Sequence, residues 1–377
     1  MSKIFKNKFV IILLLVVIFF FFGSITNTLV LNNRGVVVGM GLDYDSAGRV
    51  VLNCQILVAG EVGAEGEAND NYAIISATGK TFGDAVQKMM VDSAEYMSFA
   101  HCNSVIVGRS MIESGKLFTI LDELLKNSKI SENTNLVYYE GLSHEMLKEK
   151  VGINLMASFA IQRMISLSEN YVDTAKCTIK DYLIGVTPTG GAVVMPEVVV
   201  SKKIDEALGS EKNKGRVILS LKSGACVTKD AVAGKLSVEE VGFYNVVKKD
   251  FELGTFSMQT LDGERSVEFR NKSDNVTYDV ESLVTTIKIK TRIVESLYIN
   301  DTQGRAPIEK KGVEEAFKKG VQNGIENTYR RFSQKSVDIF GVYGGYKKKS
   351  GKRFLQSHPE FNEKFTLKVE VDVQLAP

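Results

Sequence analysis

At 377 residues the chain is longer than one hydrophobic core usually serves, so two or three folding units are expected. Apolar residues at 44% and charged residues at 24% exclude a disordered or collagen-like chain, and a single long apolar stretch excludes a polytopic membrane protein. Lys and Arg total 47 against 45 Asp and Glu, a net +2 that lacks the basic face of a nucleic-acid binder, and the absence of Trp weakens a carbohydrate-stacking role.

Lys3, Lys6 and Lys8 precede Phe9–Phe22, an uninterrupted apolar run. A basic flank followed by an apolar core is the order of a secretory signal or of an anchor whose N-terminus stays inside. As a helix this run covers about 21 Å, short of the roughly 30 Å hydrocarbon layer. Continued through Gly23, Ser24, Thr26 and Asn27 to Leu31 it reaches about 34 Å, enough to span, with its polar residues near the outer interface. Gly23, Ser24 and Thr26 make a poor cleavage site. Residues 1–31 therefore read as an uncleaved signal/anchor helix that leaves the body on the extracytoplasmic side. A cleaved signal and a buried soluble helix are the alternatives. Cys54, Cys102, Cys177 and Cys226 could pair in that compartment, but their wide spacing favours buried thiols. None of them follows the apolar run closely enough to accept a lipid.

Arg34–Asp45 and Arg49–Gly60 read as strands around the turn Asp45–Ser46–Ala47–Gly48. Leu52, Cys54, Ile56 and Val58 alternate with polar residues, so one face is buried. Glu61–Asn71 is acidic and apolar-poor and predicts a loop. Thr81 caps a helix that carries Phe82, Ala85, Val86, Met89 and Met90, and Ser104–Val107 is a strand. A helix with Leu117, Ile120, Leu121, Leu124 and Leu125 follows, then strand Asn135–Tyr139. The order β-β-α-β-α-β predicts a small sheet with helices layered on one side. Glu145–Glu169 reads as mainly helical, and Thr178–Ile184 as an extended pairing segment. Ala192–Val200 is a strand that Pro196 marks as an edge. Ser201–Lys214 is charged and apolar-poor, the best linker in the chain. Beyond it come strands Val217–Leu221 and Ala225–Val227, a short helix Val238–Val247, two or three antiparallel strands within Ser266–Ile299, the long helix Glu309–Gln334 and a final strand Phe365–Leu375. Gly320 and Gly324 lie on the apolar stripe of the long helix. Each costs about 1 kcal/mol against Ala, which suggests that they admit close approach of a sheet.

The predicted architecture is α+β: an N-terminal membrane helix followed by two or three small mixed domains of antiparallel-rich sheets with packed helices. The boundaries are 1–31 for the signal/anchor helix, 35–142 for an N-terminal α/β domain, and 143–200 for a middle helical/strand domain, which is separate or part of the first. A linker occupies 201–215, and a C-terminal α+β domain occupies 216–377 with its long helix at 309–334.

Candidate chemistry fails motif by motif. Gly79–Lys80–Thr81 ends like a phosphate loop, but Ile74 stands where its first Gly is required. Gly39–Met40–Gly41 lacks the third Gly of a dinucleotide site, Tyr44 holding its place, and reads as close packing or a strand irregularity. Asp43, Asp45 and Gly48 resemble a calcium loop, yet Ala47 and Cys54 occupy ligand positions, so a solvated turn is favoured. His101, His144 and His358 share no ligand spacing. His101 beside Cys102 could form a dyad, but no third partner is readable. Lys347, Lys348, Lys349, Lys352 and Arg353 around Gly351 read as a solvated loop, with contact to lipid headgroups or an acidic partner as the functional alternative. No catalytic, cofactor-binding or metal-ligating residue is assigned.

The order of segments nonetheless resembles the Ger(x)C proteins, the C subunits of spore nutrient-germinant receptors. Val37–Val38–Gly39–Met40–Gly41–Leu42–Asp43 is similar to the family's strand with GxGxD, and His101–Gly108 to its H-x-x-V-I-I-G strand. Ala77–Thr78–Gly79–Lys80–Thr81 stands between them. Ser223–Gly224–Ala225–Cys226–Val227, Lys229–Asp230, Gly234–Lys235–Leu236 and Glu239 or Glu240 resemble the opening of its second half. Val337–Asp338–Ile339–Phe340–Gly341 is similar to S-D-I-F-G-F-G, and His358, Pro359, Glu360 and Phe361 stand near its P-x-x-W, with Phe361 close to the tryptophan. The resemblance implies a non-enzymatic subunit without a cofactor, partnered with receptor A and B subunits in the spore inner membrane. It also implies a lipoprotein cysteine that this sequence lacks, so anchoring falls to residues 9–31. The rival reading is an anchored envelope solute-binding protein or enzyme, which would need a pocket with convergent ionisable groups.

Overall fold

Two strands joined by a tight turn start the body. In the computed structural model, which describes residues 34–57, 72–152, 155–168, 171–187, 190–203, 216–248, 251, 253–260, 263–298 and 310–375, β1 (Arg34–Tyr44) pairs antiparallel with β2 (Val50–Leu57). Asp45 shapes the turn by accepting from the backbone N–H groups of Ala47 and Arg49 at 3.0 and 2.8 Å, and Gly48 takes φ +77. The anchor segment 9–31, the loop 61–71 and most of the linker lie outside the described residues.

β3 (Tyr72–Gly79) adds to β2, and Thr81 then caps α1 (Phe82–Ser93) by accepting from Asp84 N–H. β4 (Tyr96–Ser98) and β5 (Ser104–Gly108) both run parallel to β1. After α2 (Arg109–Glu113) and α3 (Leu117–Asn127), β6 (Asn135–Tyr139) runs parallel to β5. α4 (Ser143–Lys148), β7 (Lys150–Val151), β8 (Leu155–Met156), α5 (Ala157–Ser168), α6 (Ile179–Gly185), β9 (Val193–Lys203), β10 (Val217–Val227) and β11 (Val232–Leu236) complete the first unit. Among the described residues its eleven strands follow the order β3-β2-β1-β5-β6-β9-β10-β7-β8, with β4 on β1 and β11 on β10.

Helices cover both faces of this sheet, which corrects the one-sided expectation. Val105, Val107, Leu136 and Tyr138 share a core with Phe82, Ala85 and Met89 of α1 and Leu121 and Leu124 of α3. Between them, Ile106 and Val137 turn the other way onto Met146 and Leu147 of α4 and Ala157 and Ile161 of α5. The consecutive apolar triplets of β5 and β6 carry the signature of strands buried on both faces.

Three segments differ from expectation. Thr178–Ile184 is not extended, because Thr178 and Asp181 form a capping box that starts α6, each side chain satisfying the other's backbone N–H. Glu145–Glu169 is broken by the β7–β8 hairpin, with Gly152 at φ +50, so α4 and α5 are separate helices. Pro196 does not mark an edge. β9 is internal, but β6 meets it only at Tyr138–Glu197, and the β10 ladder shifts register between Ser220 and Ser223, so a residue without an N–H is tolerated.

The second unit begins with α7 (Val238–Lys248) and builds a sheet in the order β12 (Gly254–Thr260), β13 (Gly263–Asp279), β14 (Val284–Tyr298), β15 (Thr366–Leu375). Its pairs are antiparallel except β14 with β15. α8 (Lys310–Ser333) lays its buried stripe Val313, Phe317, Val321, Ile325, Tyr329 and Phe332 against β12, β15 and α7. A Cβ on Gly320 would lie 3.2 Å from Met258 of β12, as expected for sheet approach. Gly324 instead admits the Phe243 ring of α7, a helix rather than the sheet. The basic run expected as a loop lies within α9 (Val342–Ser357), whose backbone breaks at Gly351. β9 and β10 pair along their lengths on either side of residues 204–215, so the first sheet draws strands from both sides of that segment.

Candidate functional site

Two of the family-like motifs carry buried carboxylates, Asp43 and Asp338, each holding the start of a helix. Asp43, at the end of β1 and 2% exposed, accepts from Ser143 N–H at 3.0 and 3.1 Å and from Ser143 Oγ–H at 2.5 Å. Asn53 Nδ2 donates to it at 3.3 Å and to Ser143 Oγ at 3.1 Å, and Ser76 Oγ donates to Asn53 Oδ1. Gly41 leaves room for Ser143, Gly108 for Asp43 itself, and Gly39 for Ser158, which donates to Gln55 Oε1. Burial raises the Asp43 carboxyl above its usual range, opposed by the Ser143 hydrogen bonds. The glycines thus serve close packing, together with a register shift between Val37 and Gly39.

Asp338 plays the same part in the second unit. It is 1% exposed and accepts from the N–H groups of Val342 at 2.9 Å and Tyr343 at 2.7 Å, the first residues of α9. Its own N–H donates to Gly190 O at 2.7 Å, and Gly191 bridges to it, so the residue also ties the second unit to the first. Burial pushes its carboxyl up to about 6, against the lowering effect of those backbone donors and Lys248. Nearby, Asn245 of α7 donates to Val172 O and Thr174 O, a second tie between the units.

A charged cluster lies on the first sheet. Lys235 of β11 bridges Glu140 at 2.9 Å and the buried Glu197 of β9 at 2.7 Å. Arg109 meets Glu140 at 2.7 Å, Tyr138 Oη donates to it at 2.7 Å, and Ser223 Oγ donates to Glu197 at 3.1 Å. Burial favours the neutral acid at Glu140, but hydrogen bonds from Lys235, Arg109 and Tyr138 prevail and hold it down at about 2. Sequence reading misses this cluster because its members come from separate strands, a helix start and a bend, with no shared spacing.

A cleft of about 540 Å³ opens where the units meet. Its walls are Thr187, Gly190 and Gly191 between α6 and β9, Thr228–Ala231 in the β10–β11 turn, and Lys335–Val337 after α8. Gly190 at φ +73 passes so close that a Cβ would lie 2.9 Å from Ser336 O. The Lys229–Asp230 and Val337–Asp338 motifs meet here, which spacing alone does not reveal. Hydroxyls, two ammonium groups and one carboxylate suit a polar solute, and within this lining the Thr228 hydroxyl donates to Asp230 at 3.2 Å.

The other candidates disperse. His101 is exposed, whereas Cys102 is buried with its Sγ 3.5 Å from Ser104 O, so the two do not share an environment. All four cysteines are buried free thiols, and burial drives each up, Cys102 to about 12, leaving them protonated. His358 stacks on Phe354 at 4.8 Å, and Phe361 enters the aromatic cluster of Tyr329, Tyr343 and Phe365. Of the two candidate acids, both in the first turn of α7, Glu240 is the one used: it forms a capping box with Ser237 and also meets Arg331. Among the described residues no three His, Cys, Asp or Glu gather as metal ligands.

Residues 27–200 match the family model described as the spore germination protein N-terminal domain, and residues 223–376 match that of the spore germination B3/GerAC-like C-terminal domain. The chain belongs to the Ger(x)C family. It is a protein like the C subunits of germinant receptors. Spore germination protein KC of Bacillus subtilis (strain 168) is 20% identical over 373 residues, covering 91% of this chain and 88% of that protein. The crystal structure of the GerBC protein aligns with a TM-score of 0.49 and 11% identity, over 90% of this chain and 97% of that one. Within this Ger(x)C chain Asp43 and Asp338 of the motifs hold helix starts, and Gly39, Gly41 and Gly108 permit close packing.

Proposed function

We propose that this Ger(x)C protein is the membrane-anchored, extracytoplasmic C subunit of a spore nutrient-germinant receptor, contributing to receptor assembly and to germination signalling. In this reading residues 9–31 span the spore inner membrane and the body stands outside the cytoplasm beside A and B subunits. The observation that carries it is the match of both halves, in order, to the two spore germination family models. The absence of a lipid-accepting cysteine after the apolar run gives the spanning helix the anchoring role.

Spores that lack this gene, in a strain without a redundant C subunit, are expected to lose their response to at least one nutrient germinant, read as the fall in optical density. Normal responses to every nutrient would refute the role. The cleft between the units favours one second reading, an anchored solute-binding protein. Calorimetric titration with amino acids, nucleosides and sugars would detect such binding in the purified chain.

A further inference from the structure

We propose that the end of the first sheet where β1 begins rests directly on the bilayer surface, with Tyr96, Val91 and Leu57 as its interfacial contacts. The inference rests on the membrane-anchor reading of residues 9–31 and adds an orientation to it. Only Asn32 and Asn33 separate Leu31, the end of the apolar segment, from Arg34, the first residue of β1. Those three peptide steps reach at most about 11 Å, so the strand must start within the headgroup zone if the segment spans.

Strand register shows what else stands at that level. Arg34 pairs with Tyr96, Val36 with Leu57, and Leu57 with Tyr72. α1 runs back from the far end of β3, bringing Val91, in its last turn, to the approach of β4. Tyr96 is 71% exposed, Val91 73% and Leu57 37%, whereas the alternating partners Met97 and Ile56 are buried. An aromatic ring with a polar tip beside exposed aliphatic groups is the composition that partitions into the membrane interface. Asp92 and Glu95 flank these residues, so the contact is apolar rather than an attraction to anionic lipid. The opposite end lies about 30 Å away: Asp43, nine residues along β1 from Arg34, accepts from Ser143, the residue after Leu142.

The chain contains no Trp, so a single introduced Trp reports its own site. Full-length Tyr96→Trp, Val91→Trp and, as the far-end control, Leu142→Trp would be reconstituted into phosphatidylcholine vesicles with or without bromine on the shallow acyl carbons. The expected result is loss of emission and a shift to shorter wavelength for Tyr96→Trp and Val91→Trp, with Leu142→Trp unchanged. Replacing part of the lipid by phosphatidylglycerol should leave the quenching unaltered. A chain that floats with the vesicles but shows equal, weak quenching at all three positions overturns the orientation and leaves the anchor intact. A chain that does not float with vesicles overturns the anchor reading, and the orientation falls with it.

Discussion

Removing the Asp338 carboxyl would leave the first N–H groups of α9 buried without acceptors, since both oxygens are committed to Val342 and Tyr343. Asp338→Ala is therefore expected to destabilise the protein by about 1–2 kcal/mol in urea unfolding. The charge itself has a separate signature. The folded carboxyl titrates near 6 and the unfolded one near 3.8, so between those values the folded state holds a proton that the unfolded chain has released. Stability from this group is full below about 4 and is lost as pH rises through about 6. The melting temperature of the wild type relative to Asp338→Asn should accordingly rise on acidification from pH 7 to 4; a constant difference would show that the buried charge carries no cost. Lys235 makes a contrasting case, because Glu197 is buried while Lys235 and Glu140 are about half exposed. Lys235→Met should cost about 1–3 kcal/mol by stranding the Glu197 carboxylate, and adding Glu197→Gln should restore much of it. Strict additivity of the two changes would argue that the pair is not coupled.

Two helix glycines separate packing from backbone propensity at the level of the element. Gly324 of α8 lies against the Phe243 ring, whereas a Cβ on Gly344 of α9 would meet nothing within 4 Å. Gly344→Ala should stabilise by about 0.5–1 kcal/mol through helix propensity alone. Gly324→Ala gains the same propensity but overpacks, with an expected net loss of about 1–2 kcal/mol. Thermal melts of both variants check the pair, and a stabilising Gly324→Ala would mean that α7 can shift freely. Helices with a full apolar stripe, α1, α3 and α8, were legible from spacing, α8 to within one residue at each end, because burial of one face imposes the 3.6-residue period. α6 was not: at seven residues it is too short to show a period, and only Thr178 and Asp181 announced it. The two-sided burial of β5 and β6 was written in their unbroken apolar triplets but passes unnoticed where alternation is sought.

Over the whole molecule, the candidate site was legible in name and opaque in role. Asp43 and Asp338 stand in motifs that mark the family, yet their work depends on Ser143 and on Gly190, distant in the chain and joined only by topology. The charged cluster around Glu140 and Glu197 was hidden for the same reason. The joining of β9 to β10 has a consequence of its own. The N-terminal family match ends at 200 and the C-terminal one begins at 223, but the hydrogen-bonded seam between Val193–Lys203 and Val217–Val227 crosses that border. A proteolytic cut between 204 and 215 should therefore yield two fragments that still elute together without denaturant. Chimeras that exchange halves between paralogues should misassemble unless the two facing strands travel as a matched set.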